Sequence, residues 1–316
     1  MNKKLISIFV SSVILTVLYF QIDINDIIEV FLRSKLSLAV LGLGMLIPIT
    51  MLTAYRLVWI SSLGNQLSYI ESIKLILAAS SMNIILPSKM GDIAKSVFIA
   101  KEDKMTSSQS LCLVIFEKIS DLLAILLWCL FGLIFYQKNY EFSLLFIFVV
   151  LALAIGILMI VSTFFSRIFF KIICIVLPIN LEKKIHRFSF EWNKLIKYLN
   201  IHTNKFIGVI VFSIFLWFLH LLQIWLFILA LNGEVSFIHN LALTPKAILI
   251  GLLPFTIAGI GTRDAAFIFI YSNYFSAATG AALGLFATMR YMIPAIFGLP
   301  FLSFYMRDLL TKSDLD

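Results

Sequence analysis

Charge is scarce in this chain. Of its 316 residues only 13% are Asp, Glu, Lys or Arg, while 61% are hydrophobic. A soluble domain carries about a quarter charged residues, and a water-soluble fold of this size leaves too much surface in solvent to hide so much apolar side chain. The scarcity therefore excludes a soluble globular protein. Cysteine is rarer still. Cys112, Cys129 and Cys174 lie far apart in apolar or membrane-adjacent segments, with no metal-ligand or redox spacing, so they read as buried or interfacial thiols without a disulfide. There are four histidines, and no HExxH, Ser-His-Asp order or Gly-rich phosphate loop occurs. Neither a metal nor a cofactor is expected, and the signals for an enzyme are weak.

What the chain does have is long apolar runs. About 20 apolar residues cross a bilayer, and six stretches reach or approach that length: Leu5–Gln21, Leu36–Ile60, Ser110–Phe135, Phe142–Phe165, Phe206–Leu231 and Ala277–Met306. The first follows Lys3 and Lys4 as a signal peptide would, but Leu18-Tyr19-Phe20-Gln21 offers no small-residue cleavage site, so it reads as a retained helix. Two further stretches are shorter and interrupted: Ile70–Leu86, closed by Pro87 and Gly91, and Lys246–Leu253, closed by Pro254, Gly259 and Gly261. The expectation is an all-α polytopic membrane protein, with six full crossings and two re-entrant broken helices in one integral membrane domain over 1–316. Half-repeats over 36–165 and 206–306 flank a basic joining segment, 166–205.

The net charge is +8, and its placement matters more than its size. If the N-terminus is cytoplasmic and the broken stretches do not cross, Lys3, Lys4, Lys74, Lys95, Lys101, Arg167, Lys171, Lys183, Lys184, Arg187 and most other bases fall inside. Only Arg33, Lys35, Lys138 and Lys246 fall outside. The positive-inside rule then places both termini in the cytoplasm and the chain in the plasma membrane. The bases flank apolar segments, so anionic lipid headgroups are the expected partner and nucleic acid is not. Within Glu182–Asn200, the apolar residues Ile185, Phe188, Trp192, Leu195 and Leu199 recur at three- or four-residue steps between lysines and arginines. That pattern suits a helix lying on the cytoplasmic leaflet; the alternative is a solvated linker between the halves.

The two interrupted stretches match. Leu86-Pro87-Ser88-Lys89-Met90-Gly91-Asp92 and Leu253-Pro254…Gly259-Ile260-Gly261-Thr262-Arg263-Asp264 each place Leu-Pro, a gap, then Gly followed by a helix N-cap, Asp92 or Thr262. Each leads through a short apolar run to a long helix with buried charge: Glu117, Lys118 and Asp121 in one, Arg290 in the other. Under the expected topology the first enters from inside and the second from outside, which makes the halves inverted copies. Paired Gly/Pro-interrupted segments point to a transporter substrate site, because a helix restarting within the membrane presents free N–H groups and the positive end of its dipole. The competing explanation is coincidence, since Pro and Gly are common in membrane helices.

Charge at membrane depth is costly and marks function by default. Glu117 and Asp121, four residues apart, share a helix face, with Lys118 about 100° round. The acid pair is expected to meet Arg290 or Arg263 across the bundle, leaving one cation for a ligand; a purely structural ion-pair network is the alternative. Arg263, beside Asp264 at the restarted helix, can fork onto a phosphate. Arg56, near the inner end of its helix, reads as snorkelling to headgroups. His220 and Gln223 read as interhelical hydrogen-bonders.

At these motifs the chain resembles the flippase-like membrane region of lysylphosphatidylglycerol synthases and their stand-alone relatives. The resemblance rests on Leu86-Pro87…Gly91-Asp92…Lys95, Phe116-Glu117-Lys118…Asp121, Leu253-Pro254…Gly259-Ile260-Gly261-Thr262-Arg263-Asp264 and Arg290…Gly298, and spans nearly the whole chain. Lys95 and Lys118 stand where that family often has Arg, and Asp264 where it often has Glu; charge sign is kept, but the guanidinium fork is not. The resemblance implies inverted repeats with re-entrant helices and a role in moving lipids between leaflets. The synthases' soluble aminoacyl-transfer domain has no counterpart before Asp316, so lysyl-lipid synthesis by this chain alone is not expected.

Three functions compete. The first is a lipid flippase or lipid-linked-substrate transporter for an anionic, phosphate-bearing lipid, with Arg263, Arg290, Glu117, Asp121, Lys118, Lys95, Asp92 and Asp264 around the substrate. The second is a membrane-embedded transferase on polyprenyl-phosphate-linked substrates, with Glu117 or Asp121 as base. The third is an accessory subunit of a cell-envelope lipid or polysaccharide pathway, with envelope proteins as partners.

Overall fold

The structure, a computed structural model, describes residues 16, 22–61, 66–86, 90–101, 105–136, 143–176, 182–253, 256 and 259–313, and every regular element among them is helical. The chain runs through α1 (Ile24–Leu32), α2 (Leu36–Gly44), α3 (Leu46–Ser61), α4 (Tyr69–Ile85), α5 (Gly91–Lys101), α6 (Ser107–Tyr136) and α7 (Ser143–Val161). It continues through α8 (Thr163–Val176), α9 (Glu182–Ile201), α10 (Thr203–Ala230), α11 (Phe237–Gly251), α12 (Thr262–Ile270) and α13 (Ala277–Ser313). Leu36–Ser61, Ser107–Phe135, Leu144–Val161, Thr203–Ala230 and Ala277–Arg307 are long and apolar enough to cross a membrane. These are five of the six expected crossings; Leu5–Gln21 lies, apart from Thr16, outside the described residues.

The interrupted stretches form helices with defined starts. Ser68 and Glu71 make a reciprocal capping box at α4, with 3.2 Å from the Glu71 N–H to Ser68 Oγ and 2.9 Å from the Ser68 N–H to Glu71 Oε2. At α11 the Ser236 hydroxyl accepts from the His239 N–H. This helix carries Pro245 in its interior and starts at Phe237, well before the Lys246 at which the apolar stretch begins in the sequence. The expected N-caps move by a residue or two. α5 starts at Gly91, with Asp92 already in its first turn. At α12 the N-cap is Gly261, and the Asp264 carboxylate accepts the Gly261 N–H at 3.0 Å. Gly259 and Gly261 hold φ of 78° and 95°, a region closed to most side chains, which ties that turn to glycine. Pro87 and Pro254 lie outside the described residues.

Packing crosses between the two parts of the chain reciprocally. α4 lies along α13 and α11 lies along α6, while α5 and α12 each pack on the long helix that follows them. Gly298 on α13 seats against the Leu77 carbonyl of α4, and Gly132 on α6 against the Ala242 carbonyl of α11; a Cβ at either would strike backbone. Small residues at such crossings let helix backbones meet without a hydrophobic driving force.

The basic segment is not where its amphipathic pattern places it. Phe188, Trp192, Leu195, Ile196 and Leu199 of α9 are buried inside the protein, against α6 and α8, rather than facing a leaflet. The pattern defines an apolar stripe but not what covers it. Phe142–Phe165 is likewise not one run: α7 ends at Val161 and α8 starts at Thr163.

Candidate functional site

α6 projects Glu117, Lys118 and Asp121 into a network built from five helices. From α3, Arg56 donates to Asp121 at 2.5 Å, to Glu117 at 3.2 Å and to the Ser213 hydroxyl of α10 at 2.8 Å. From α5, the Lys95 ammonium reaches Glu117 at 2.6 Å. Lys118 lies between Asp92 of α5 at 3.0 Å and Asp121 at 3.4 Å. The Asn83 amide group at the end of α4 holds Asp92 twice at 3.2 Å, once to its carboxylate and once to its N–H. Gly91 allows that approach, since a Cβ there would lie 2.5 Å from Ala79 O and Asn83 N.

Two sequence expectations are corrected here. Arg56 is 1% exposed and does not snorkel; it is the hub of the ion pairs. The acid pair meets Arg56 and Lys95, not Arg263 or Arg290. The physical reason is burial: Glu117 is 1% exposed, and a buried carboxylate persists only with close cations. Arg56 was read as a snorkelling residue and Ser213 was not named at all, because nothing local in the sequence distinguishes a buried arginine near a helix end from a snorkelling one. The network carries three cations and three anions.

Part of this network opens onto a cavity of about 290 Å³. Asp92 comes from α5, Lys118 and Asp121 from α6, Trp217 from α10, Gly251 from the end of α11, and Leu252, Leu253, Thr256 and Gly259 complete the described lining on that side. The cavity therefore sits where the ends of both interrupted segments converge. Lys118 is its one described cation, with 39% of its side chain exposed. Ligand pockets begin near 300 Å³, so this space fits a headgroup and not a whole lipid.

Arg263 and Arg290 lie elsewhere, around Tyr291. Arg263 bonds Asp264 at 2.9 Å, Thr288 Oγ1 at 2.7 Å and the Gly284 and Ala287 carbonyls of α13. It stands 5.4 Å from the Tyr291 ring centroid. Its fork thus ties the start of α12 to α13. Arg290 stands 5.0 Å from the same ring and donates to Tyr291 Oη at 2.9 Å. It is 5% exposed, its Nη1 has no hydrogen-bond partner, and no described carboxylate pairs with it. Asn240, Thr244 and Tyr271 form a further buried hydroxyl-amide cluster, with 2.7 Å from Thr244 Oγ1 to each of the others. No motif marks it in the sequence.

The sequence model of the lysylphosphatidylglycerol synthase TM region matches residues 4–298 of this chain. The UPF0104 membrane protein MJ1595 of Methanocaldococcus jannaschii is 24% identical over 337 residues, an alignment that covers 100% of this chain and 97% of that one.

Proposed function

Because the chain belongs to the family of the lysylphosphatidylglycerol synthase transmembrane region, we propose that it translocates a phosphate-bearing lipid between membrane leaflets. The observation that carries this reading is the cavity at the meeting of the two interrupted segments, with Lys118 half-exposed between Asp92 and Asp121. A headgroup phosphate entering from the side competes for the Lys118 ammonium, and the acyl chains stay in lipid. Sharing Lys118 costs less than transferring a bare phosphate into hydrocarbon, because the phosphate gains a counter-ion while Asp121 keeps Arg56 and Asp92 keeps the Asn83 amide. Arg290, with an unsatisfied N–H, is the second cation available to the lipid. Arg263 acts at one remove, by holding α12 to α13. In this reading the protein sits in the plasma membrane with both termini cytoplasmic.

The transferase reading lacks comparable support. Glu117 is enclosed by Arg56 and Lys95, so a substrate hydroxyl has no approach to it, and Asp121, the other candidate base, lines the cavity but is already paired with Arg56 and Lys118.

The test is lipid translocation in proteoliposomes holding a fluorescent phospholipid, read by quenching from outside. Lys118→Ala and Arg290→Ala should each lower the rate at least tenfold with unchanged folding. Wild-type rates in both variants would overturn the proposal.

A further inference from the structure

The uncovered face of α8 is unlike that of the helices that cross. With 14 residues it is about 21 Å long, well short of the roughly 30 Å hydrocarbon core. At 100° per residue, Phe164, Ile168, Ile172 and Ile175 form one stripe, and all four are exposed, at 74, 42, 54 and 77%. Ser166 and Phe170, on the opposite side, are buried against the protein. Arg167 and Lys171 are exposed and occupy a third stripe, beside the apolar one.

The chain also turns at a defined place before α8. α7, with 19 residues, is about 28 Å long and nearly spans the core by itself. The helix ladder then breaks at Ser162, whose hydroxyl accepts the Phe165 N–H at 3.2 Å and restarts the helix. Two carbonyls on the α7 side of the break are held from α9: Met159 O by the Trp192 indole N–H at 3.2 Å and Val161 O by the Asn200 amide at 3.1 Å. The break is thus fixed by the packing of α9 and occurs where the crossing ends.

We propose that α8 lies in the headgroup–acyl boundary of an anionic leaflet, with its Ile and Phe stripe among acyl chains and Arg167 and Lys171 on lipid phosphates. The helix packed against it, α9, is basic as well. Lys183, Lys184 and Arg187 are exposed, and the only acids in 162–205 are Glu182 and Glu191. Charge complementarity selects the anionic leaflet over a second copy of this chain, whose matching face carries the same positive charge. The apolar stripe selects a bilayer over water. α9, which the sequence alone assigns to that position, is instead the brace that sets the angle of α8.

The test uses the full chain in nanodiscs. Cys112 and Cys129 are buried, so a Cys174→Ser background carrying Arg167→Cys, Ile168→Cys or Ile172→Cys takes a spin label at one site. Labels at 168 and 172 should meet lipid-dissolved oxygen at a shallow depth, about 5–10 Å below the phosphates, and the label at 167 should meet a water-soluble nickel chelate. Hydrogen exchange on the unmodified protein supplies a second reading. Protection of 163–176 should fall when anionic lipid is replaced by zwitterionic lipid, and in anionic discs by roughly fivefold for each of Arg167→Gln and Lys171→Gln. Equal chelate access at all three sites would overturn the proposal. So would labels at 168 and 172 shielded from both reagents in a concentration-dependent way, the mark of a second copy, or protection indifferent to lipid charge.

Discussion

Arg56 and Lys118 touch the same carboxylate, Asp121, from different environments. The Arg56 side chain is 2% exposed and that of Lys118 is 39% exposed. Removing Arg56 leaves Asp121 short of a cation, and leaves Glu117, 1% exposed, with Lys95 alone where water cannot replace the lost partner. Breaking a buried pair in this way costs about 3–5 kcal/mol, so Arg56→Ala should lower the thermal midpoint in detergent markedly, with Arg56→Lys recovering part of the loss. A half-exposed ion pair is worth about 1 kcal/mol or less. Lys118→Ala should therefore melt close to wild type while losing lipid translocation. If both variants melt alike, Lys118 belongs to the scaffold and not to the lipid site. The acid pair was legible in the sequence because a four-residue spacing fixes a helix face. Its partner was not, because the Arg56–Glu117 bond joins residues 61 apart and depends on how helices pack. Asp92, Lys95, Glu117, Lys118 and Asp121 do come together, while Arg263 and Arg290 gather separately around Tyr291.

Helices legible in the sequence were those with a long, predominantly apolar run, such as α6, α10 and α13. The start of α11 was hidden by Pro245, which the helix tolerates in its interior. The α7–α8 break was hidden because Ser162 stands in an apolar stretch and the groups that stabilise the break, Trp192 and Asn200, come from another element. For α9 the apolar stripe was correct, but protein and lipid cover such a stripe equally well. At this scale the sharpest test concerns the helix crossings. Gly132→Val and Gly298→Val each drive a side chain into the backbone of the facing helix, and overpacking of this kind costs about 1–3 kcal/mol or more. Gly44→Ala is the control: nothing lies within 4 Å of a Cβ there, so stability should stay within about 0.5 kcal/mol. Detergent denaturation midpoints of the three variants decide it. Equal tolerance at Gly132 and Gly298 would mean that α6–α11 and α4–α13 are not held by close backbone contact.

For the whole molecule the central quantity is length against thickness. α4 has 17 residues and α5 has 11, about 25 and 16 Å; α11 has 15 and α12 has 9, about 22 and 14 Å. None spans a core of about 30 Å alone, yet each pair is followed by a helix that does, α6 or α13. A helix that stops partway must satisfy its end groups within protein or a wet cavity, and the cavity lined by Gly251, Leu252 and Leu253 at the end of α11 and by Asp92 of α5 is such a place. The expectation that the two pairs enter from opposite faces requires each long helix to border the other pair's entry, and the packing of α4 on α13 and α11 on α6 is compatible with it. Ile70 on α4 and Ala100 on α5 should therefore be labelled, as introduced cysteines, from one and the same membrane face. Ile238 on α11 and Phe269 on α12 should be labelled from the other face. An impermeant thiol reagent applied to right-side-out and inverted vesicles separates the outcomes. Accessibility of 70 and 100 from opposite faces would make α4–α5 a full crossing, reverse every helix after it, and remove the inverted relation on which a shared lipid cavity depends.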